Sequence, residues 1–288
     1  DPAYPVALAA LPDPPFGLFV RGPVEALAAL AEAPAVAVVG CRAGTGGGLS
    51  FAHGLARDLA VRGAVVVSGL ARGIDAAAHA GALEAGAGGV AVLGTGVDTP
   101  YPRRNAGLLD RMLAAGGVVV SEHWPGTPPA PWRFPARNRI VAGMCDAVVV
   151  VEAGRRSGAL ITADFALEAG RPVLAVPGFP GAACSEGCNA LIRAGAAVCE
   201  GVDDVVAELP GLAWSSPAPG ADPAAPEGLP GRVHERLRRE PLRLDQLADA
   251  LGVPGGEVAA ALAHLEVEGL VVRGDAQRFW ATPGRGAA

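Results

Sequence analysis

At 288 residues the chain has room for one large domain and one small one, and 51% hydrophobic against 18% charged residues exclude a disordered protein. No apolar run reaches the ~18 residues of a membrane span, and the opening Asp1-Pro2-Ala3-Tyr4 has neither the basic nor the apolar segment of a secretory signal. A net charge of −6 argues against a uniformly basic nucleic-acid binder, so any anion site must be local.

The five cysteines, Cys41, Cys145, Cys184, Cys188 and Cys199, are odd in number and scattered, which points to the reducing cytoplasm. Cys184 and Cys188 lack a nearby His or a second Cys pair, so buried thiols outweigh a metal site. All 23 basic residues are arginine, a bias that genome composition explains and that nonetheless makes every cation a planar fork suited to phosphate. From Thr99 to Ala142, Arg103, Arg104, Arg111, Arg133, Arg137 and Arg139 outnumber Asp110 and Glu122, a local balance of +4. The starting Asp in place of Met is consistent with a longer natural chain preceded by a further module.

Residues 1–34 hold several prolines and a short helical pattern near Val24–Ala31, a packed N-terminal extension. Over 35–209, runs of β-branched residues at Val36–Val39, Val65–Val67, Val90–Leu93, Val118–Val120, Ala147–Val151 and Val173–Val176 alternate with Ala/Leu-rich helical stretches. Such continuous apolar strands predict a doubly wound, mostly parallel α/β sheet of Rossmann type, with ligand sites at the strands' carboxyl ends. The proline-rich stretch 210–230 reads as a linker. Within 231–288, helices at Arg232–Arg239, Leu244–Leu251 and Gly256–Glu268 and strands at Leu270–Arg273 and Arg278–Ala281 predict a winged helix-turn-helix.

Five segments carry the chemistry. Gly40-Cys41-Arg42-Ala43-Gly44-Thr45-Gly46-Gly47-Gly48 follows the first run and opens a helix, where backbone N–H groups attract phosphate. A dinucleotide fingerprint fails, because Leu49 sits at the third glycine position and Ser68 ends the second strand where a ribose-binding acid belongs. A P-loop fails for want of any lysine. In Ser68-Gly69-Leu70-Ala71-Arg72-Gly73-Ile74-Asp75 the Asp75/His79 pair, spaced for one helical face, is read as a cap with a packed His rather than as an acid–base pair. Tyr101-Pro102-Arg103-Arg104-Asn105 is either a nucleotide-stacking loop or a rigid turn with solvated arginines. In Phe134-Pro135-Ala136-Arg137-Asn138-Arg139, cations at a helix start require an anionic partner, a carboxylate or, by a modest margin, a phosphate. Ser157-Gly158 opens another helix, where Ser157 either bonds a phosphate or caps.

These blocks resemble the DprA/Smf family, DNA-processing protein A, over roughly Tyr4 to Leu209. The resemblance rests on Val-Gly-Cys-Arg (39–42), Ser-Gly-Leu-Ala-Arg-Gly-Ile-Asp-Ala-Ala-Ala-His (68–79), Tyr-Pro-Arg-Arg-Asn (101–105), Ser-Glu (121–122), Phe-Pro-Ala-Arg-Asn-Arg-Ile (134–140), Ser-Gly-Ala-Leu-Ile-Thr-Ala (157–163) and Val-Pro-Gly (176–178). It implies a homodimer that binds single-stranded DNA and loads RecA onto it in natural transformation or recombination, with no covalent reaction, cofactor, small-molecule substrate or membrane. It carries DNA contacts onto Arg42, Arg103 and Ser157-Gly158. With the other motif positions, the expected contacts are Gly40, Arg42, Thr45, Ser68, Arg72, Arg103, Asn105, Arg137, Asn138, Arg139, Ser157, Gly158 and Thr162. Cys41 stands where the family usually has Ser, and Ala43 where it often has an aromatic ring.

The third C-terminal helix carries Glu257, Glu266 and Glu268 and no Arg, so it reads as a protein-interaction or regulatory module unless Arg273 and Arg278 of the wing dominate. The rival function is a nucleotide phosphoribohydrolase, disfavoured because Glu152–Glu168 lacks the double glycine and Thr-x-x-Glu of that group. An NAD-dependent oxidoreductase fails with the fingerprint.

Overall fold

The valine runs form strands that lie side by side, because each is apolar on both faces and needs cover above and below. The computed structural model describes residues 4–215, 226–267, 270–274 and 277–281, in two compact units, Asp1–Ser216 and Pro217–Ala288. In chain order the first unit begins α1 (Val6–Ala9), β1 (Phe19–Arg21), α2 (Glu25–Glu32), β2 (Ala35–Val39), α3 (Gly46–Val61), β3 (Val65–Ser68), α4 (Ile74–Glu84) and β4 (Val90–Val92). A 3-10 turn at Arg103–Asn105 leads to α5 (Ala106–Ala114), β5 (Val118–Ser121), α6 (Arg133–Gly143), β6 (Ala147–Val150) and α7 (Gly158–Glu168). Then come β7 (Val173–Ala175), α8 (Glu186–Arg193), β8 (Ala197–Val198) and α9 (Val202–Glu208).

The eight strands are ordered β1-β5-β4-β3-β2-β6-β7-β8, all parallel except β1, which runs antiparallel to β5. Strand order reverses between β2 and β6, so a crevice opens there at the strands' carboxyl ends. Alternate strand residues feed cores on opposite faces of the sheet. Val39, Val92, Val120 and Val148 pack with Ile140 and Val141 of α6 and Ala163 of α7. On the other face Val36, Val38 and Val66 pack with Leu55 and Leu59 of α3 and Ala78 of α4. The N-terminal extension is part of this unit: Leu8 and Leu27 enter the first core and Phe19–Arg21 supplies the edge strand.

The second unit holds α10 (Gly228–Arg239), β9 (Leu242–Arg243), α11 (Leu244–Leu251), α12 (Gly255–Val267), β10 (Val271–Arg273) and β11 (Arg278–Ala281). Its three-stranded sheet, β10-β11-β9, and a core of Val233, Leu237, Leu247, Leu262, Leu265 and Phe279 make the winged helix expected from the sequence. The helix α10 starts inside the stretch expected as linker; residues 216–225 of that stretch, and Glu268, lie outside the described residues.

Candidate nucleic-acid interface

The β2/β6 crevice opens into a cavity of about 410 Å³. Its walls come from the turn after β2 (Gly40, Cys41, Arg42, Ala43), the start of α6 (Phe134, Arg137, Asn138) and the loop into α7 (Gly154, Arg156, Ser157, Gly158, Thr162). Arg42 and Arg156 are exposed, and Arg42 lies 5.3 Å from the centroid of the Phe134 ring. The Tyr101 ring, 43% exposed, lies 5.4 Å from the same Phe134 ring, so a cation and two rings cluster at the cavity's edge. Arg103 is exposed two residues beyond Tyr101. At α7, the Ser157 hydroxyl accepts from the Ala159 N–H at 3.3 Å, and the Gly158 carbonyl accepts from Asn138 Nδ2 at 3.0 Å. Ser157 thus caps, and the rest of this helix start, with the dipole's positive end, borders the cavity.

The segment 68–79 has a different task. Leu70 holds a left-handed backbone, φ 54°, which costs a branched residue on the order of 1–3 kcal/mol and persists only when its surroundings fix it. Four side chains do so. Asp75 accepts from the Gly69 and Ala71 N–H groups at 3.1 and 3.3 Å, and Asn105 Nδ2 donates to the Leu70 and Ala71 carbonyls at 2.9 and 3.1 Å. Arg137 donates to the Gly69 carbonyl at 2.8 Å and to the Val92 carbonyl, and Ser68 ties β3 to the Val38 carbonyl at 2.7 Å. A Cβ on Gly69 would stand 2.6 Å from the Arg137 guanidinium carbon, so any side chain there would displace the guanidinium from its carbonyls.

All of these groups are buried, and their ionisation shows it. Burial pushes the Asp75 carboxyl up, against the Arg137 charge and two amides, and lowers Arg137 to about 10 against the pull of Asp75. Burial lowers His79 to about 4, with the Ser68 backbone opposing in part. His79 is packed as expected, whereas Asp75 is no helix cap: Gly73 precedes α4 without a side-chain cap bond, and Asp75, in the first turn, holds the turn before the helix instead.

Arg139 is likewise engaged. Its guanidinium donates in a fork to Glu122, 2.9 Å to Oε1 and 2.7 Å to Oε2, with Asp13 Oδ2 at 3.2 Å. The Glu122 bonds, more than the opposing burial, raise its pKa. The partners of Arg137 and Arg139 are therefore carboxylates and carbonyls, which corrects the margin given to phosphate for both. Arg133, also counted in the local balance, donates to the Pro128 carbonyl and lies over Trp132. Among the described residues no ion pair engages Arg42, Arg72, Arg103 or Arg156, all exposed.

The Gly-rich turn holds the second correction. Thr45 caps α3, and its N–H and hydroxyl donate to Glu152 Oε2 and Oε1 at 2.8 and 2.5 Å. The helix start expected to take a phosphate already holds a carboxylate. Of the expected contacts, the structure brings Gly40, Arg42, Arg137, Asn138, Ser157, Gly158 and Thr162 to the cavity, with Arg137 and Thr162 buried in its wall. Thr45, Ser68, Asn105 and Arg139 are bonded elsewhere in the fold, and Arg72 and Arg103 lie exposed outside the lining. Arg156, Phe134 and Glu152 are not among the expected contacts; Phe134 opens the motif 134–140 and Arg156 immediately precedes the motif 157–163, so its cation beside Ser157 is the available signal.

Residues 1–210 match the family described as DNA recombination-mediator protein A, and residues 216–277 match the DprA winged helix domain. The chain is 40% identical over 274 residues to protein Smf of Escherichia coli, covering 93% of this chain and 72% of that one. It is 44% identical over 213 residues to DNA processing protein DprA of Streptococcus pneumoniae, covering 73% of this chain and 72% of the relative. The solved structure of the S. pneumoniae protein superposes with a TM-score of 0.66 at 42% identity, covering 72% of this chain and 71% of that one. DNA processing protein A of Helicobacter pylori, a structure described for its single-stranded DNA binding mode, superposes at 0.64 with 30% identity over 71% of this chain and 92% of that one. The sheet, the winged helix and these relatives together establish that the chain belongs to the DprA/Smf family.

Proposed function

We propose that the chain binds single-stranded DNA along the β2/β6 crevice and acts on it by holding it, without covalent chemistry. The observation that carries this reading is the cluster of Arg42 and Tyr101 around Phe134, with Arg156 and the open start of α7 in the same cavity wall: cations for phosphates and ring faces for bases, at the sheet's switch point. Arg72 and Arg103 extend the cationic path outside the cavity. The buried charged groups of the cavity wall, Asp75 and Arg137, are bonded to the strained turn, which favours a binding site over an acid–base site. By family resemblance, a homodimer presents two such crevices, shields the strand and hands it to RecA in the cytoplasm during transformation or recombination. The winged helix, whose α12 carries Glu257 and Glu266, serves in this reading as a protein-interaction or regulatory module.

Fluorescence anisotropy of labelled single- and double-stranded oligonucleotides across a salt series tests the proposal on wild type, Arg42→Ala, Arg156→Ala and Arg42→Ala/Arg103→Ala. The single strand should bind more tightly than the duplex, and each lost phosphate contact should reduce the slope of log K against log salt by about 0.7. Equal binding of duplex, or unchanged slopes in all three variants, would remove the crevice as the DNA site.

A further inference from the structure

A phosphate-gripping crevice on this kind of sheet faces a selectivity problem. The Gly-rich turn after the first parallel strand, where it opens a helix, is where such sheets bind the pyrophosphate of free nucleotides. This chain keeps the turn: Thr45 caps α3, a 16-residue helix, and Gly46, Gly47 and Gly48 form its first turn. The cradle is filled from within. Glu152, at the end of β6 and 9% exposed, accepts from both the N–H and the hydroxyl of Thr45, and the Thr45 hydroxyl accepts from the Gly48 N–H at 3.0 Å. Room for the carboxylate depends on Gly48, since a Cβ there would lie within 2.6 Å of both carboxylate oxygens. Gly46 has open space beside it, so with the carboxylate gone an external anion would have access.

We infer that Glu152 is a specificity-determining residue: a built-in anion that occupies the pyrophosphate cradle and leaves the exposed arginines and the α7 helix start for phosphate. The inference deepens the single-strand reading and rests on it. A compact polyphosphate needs several N–H donors converging at one place, and at the start of α3 the Thr45 N–H already donates to Glu152, whose carboxylate lies against Gly48 and puts a charge of the polyphosphate's own sign there. A DNA strand spreads its phosphates over Arg42, Arg156, Arg72 and Arg103 and does not need that cradle. The crevice is thereby selective for internal phosphodiesters over the terminal phosphates of nucleotides.

Isothermal calorimetry of inorganic pyrophosphate and of ATP, at constant ionic strength, tests this on wild type, Glu152→Gln and Glu152→Ala. Wild type should give no saturable binding. Glu152→Ala should bind pyrophosphate at least about ten-fold more tightly than wild type, with Glu152→Gln, which keeps an oxygen for Thr45 but no charge, in between. Saturable wild-type binding as tight as that of Glu152→Ala would overturn the inference. So would the absence of any gain in variants whose circular dichroism matches wild type. If Glu152→Ala does not fold, the near-isosteric Glu152→Gln decides alone. Strand binding is read separately by anisotropy, so a failure of the proposed function leaves the calorimetric result on Glu152 intact.

Discussion

Arg137 separates a structural reading of the motif arginines from a DNA-contact reading, and Arg137→Met is the variant that tests it. Arg137 is 5% exposed, and its guanidinium donates to the Gly69 and Val92 carbonyls and stands in the field of Asp75. Removing one partner of a buried charged network costs about 3–5 kcal/mol. The Gly69 and Ala71 amides still serve Asp75, which places the loss near the lower end, about 3 kcal/mol. For a unit of this size each kcal/mol lowers Tm by about 2–4 °C, so calorimetric melting should fall by roughly 6–12 °C. The pH dependence identifies the cause. Burial already raises the Asp75 pKa above its unfolded value, and loss of the cation raises it further. A raised carboxyl contributes stability that is present below its unfolded pKa and lost as pH rises through the folded one, so the variant's deficit should shrink toward pH 4. Asp75→Asn on the Arg137→Met background should cost less than the two single deficits added. A Tm loss below about 2 °C, or weakened strand binding at unchanged Tm, would refute the brace and return Arg137 to the DNA.

His79 is buried neutral with a pKa near 4 against an ordinary 6.5, so its contribution is present above pH 6.5 and is lost as pH falls toward 4. The shift corresponds to on the order of 3 kcal/mol, and denaturant titrations at pH 7 and pH 4 should show His79→Leu losing less than wild type by about that amount. Arg139→Ala should cost about 2 kcal/mol in urea unfolding, because Glu122, 19% exposed, keeps its charge without its fork partner. Its strand affinity should stay within about two-fold of wild type, and a larger change would place Arg139 on the DNA rather than in the fold.

The central sheet is legible in the sequence because each inner strand is a run of Val and Ala buried on both faces, a pattern that needs no partner to be recognised. The strands β1, β8 and β9 are not: at two or three residues and half exposed, their strand character comes from the neighbour they pair with. The crevice is legible from the Gly-rich turn, and its true occupant is not, since Glu152 lies 107 residues from Thr45. The same gap hides the roles of the motif cations. Arg137 and Arg139 read locally as an anion-binding helix start, whereas Gly69, 68 residues away, and Glu122, 17 residues away, supply their acceptors. Asn105 reads as a nucleotide contact and spends its amide on carbonyls 34 and 35 residues upstream.

These long-range bonds divide the family motifs into frame and contact. Ser68, Asp75, Asn105 and Arg137 converge on one left-handed residue, Leu70, and the turn they fix carries Arg72 at the surface and borders the cavity through Gly69 and Ala71. A strained turn of this kind is useful only if it is rigid, because a loosely held arginine loses rotamer entropy with every phosphate it meets. Under the proposed function the frame supports binding by preorganisation alone, while the exposed Arg42, Arg72, Arg103 and Arg156 are the residues assigned to the phosphates. Stability and strand affinity should then respond to different residues of the same motifs: frame substitutions lower Tm at a fixed salt slope, and contact substitutions lower the salt slope at a fixed Tm.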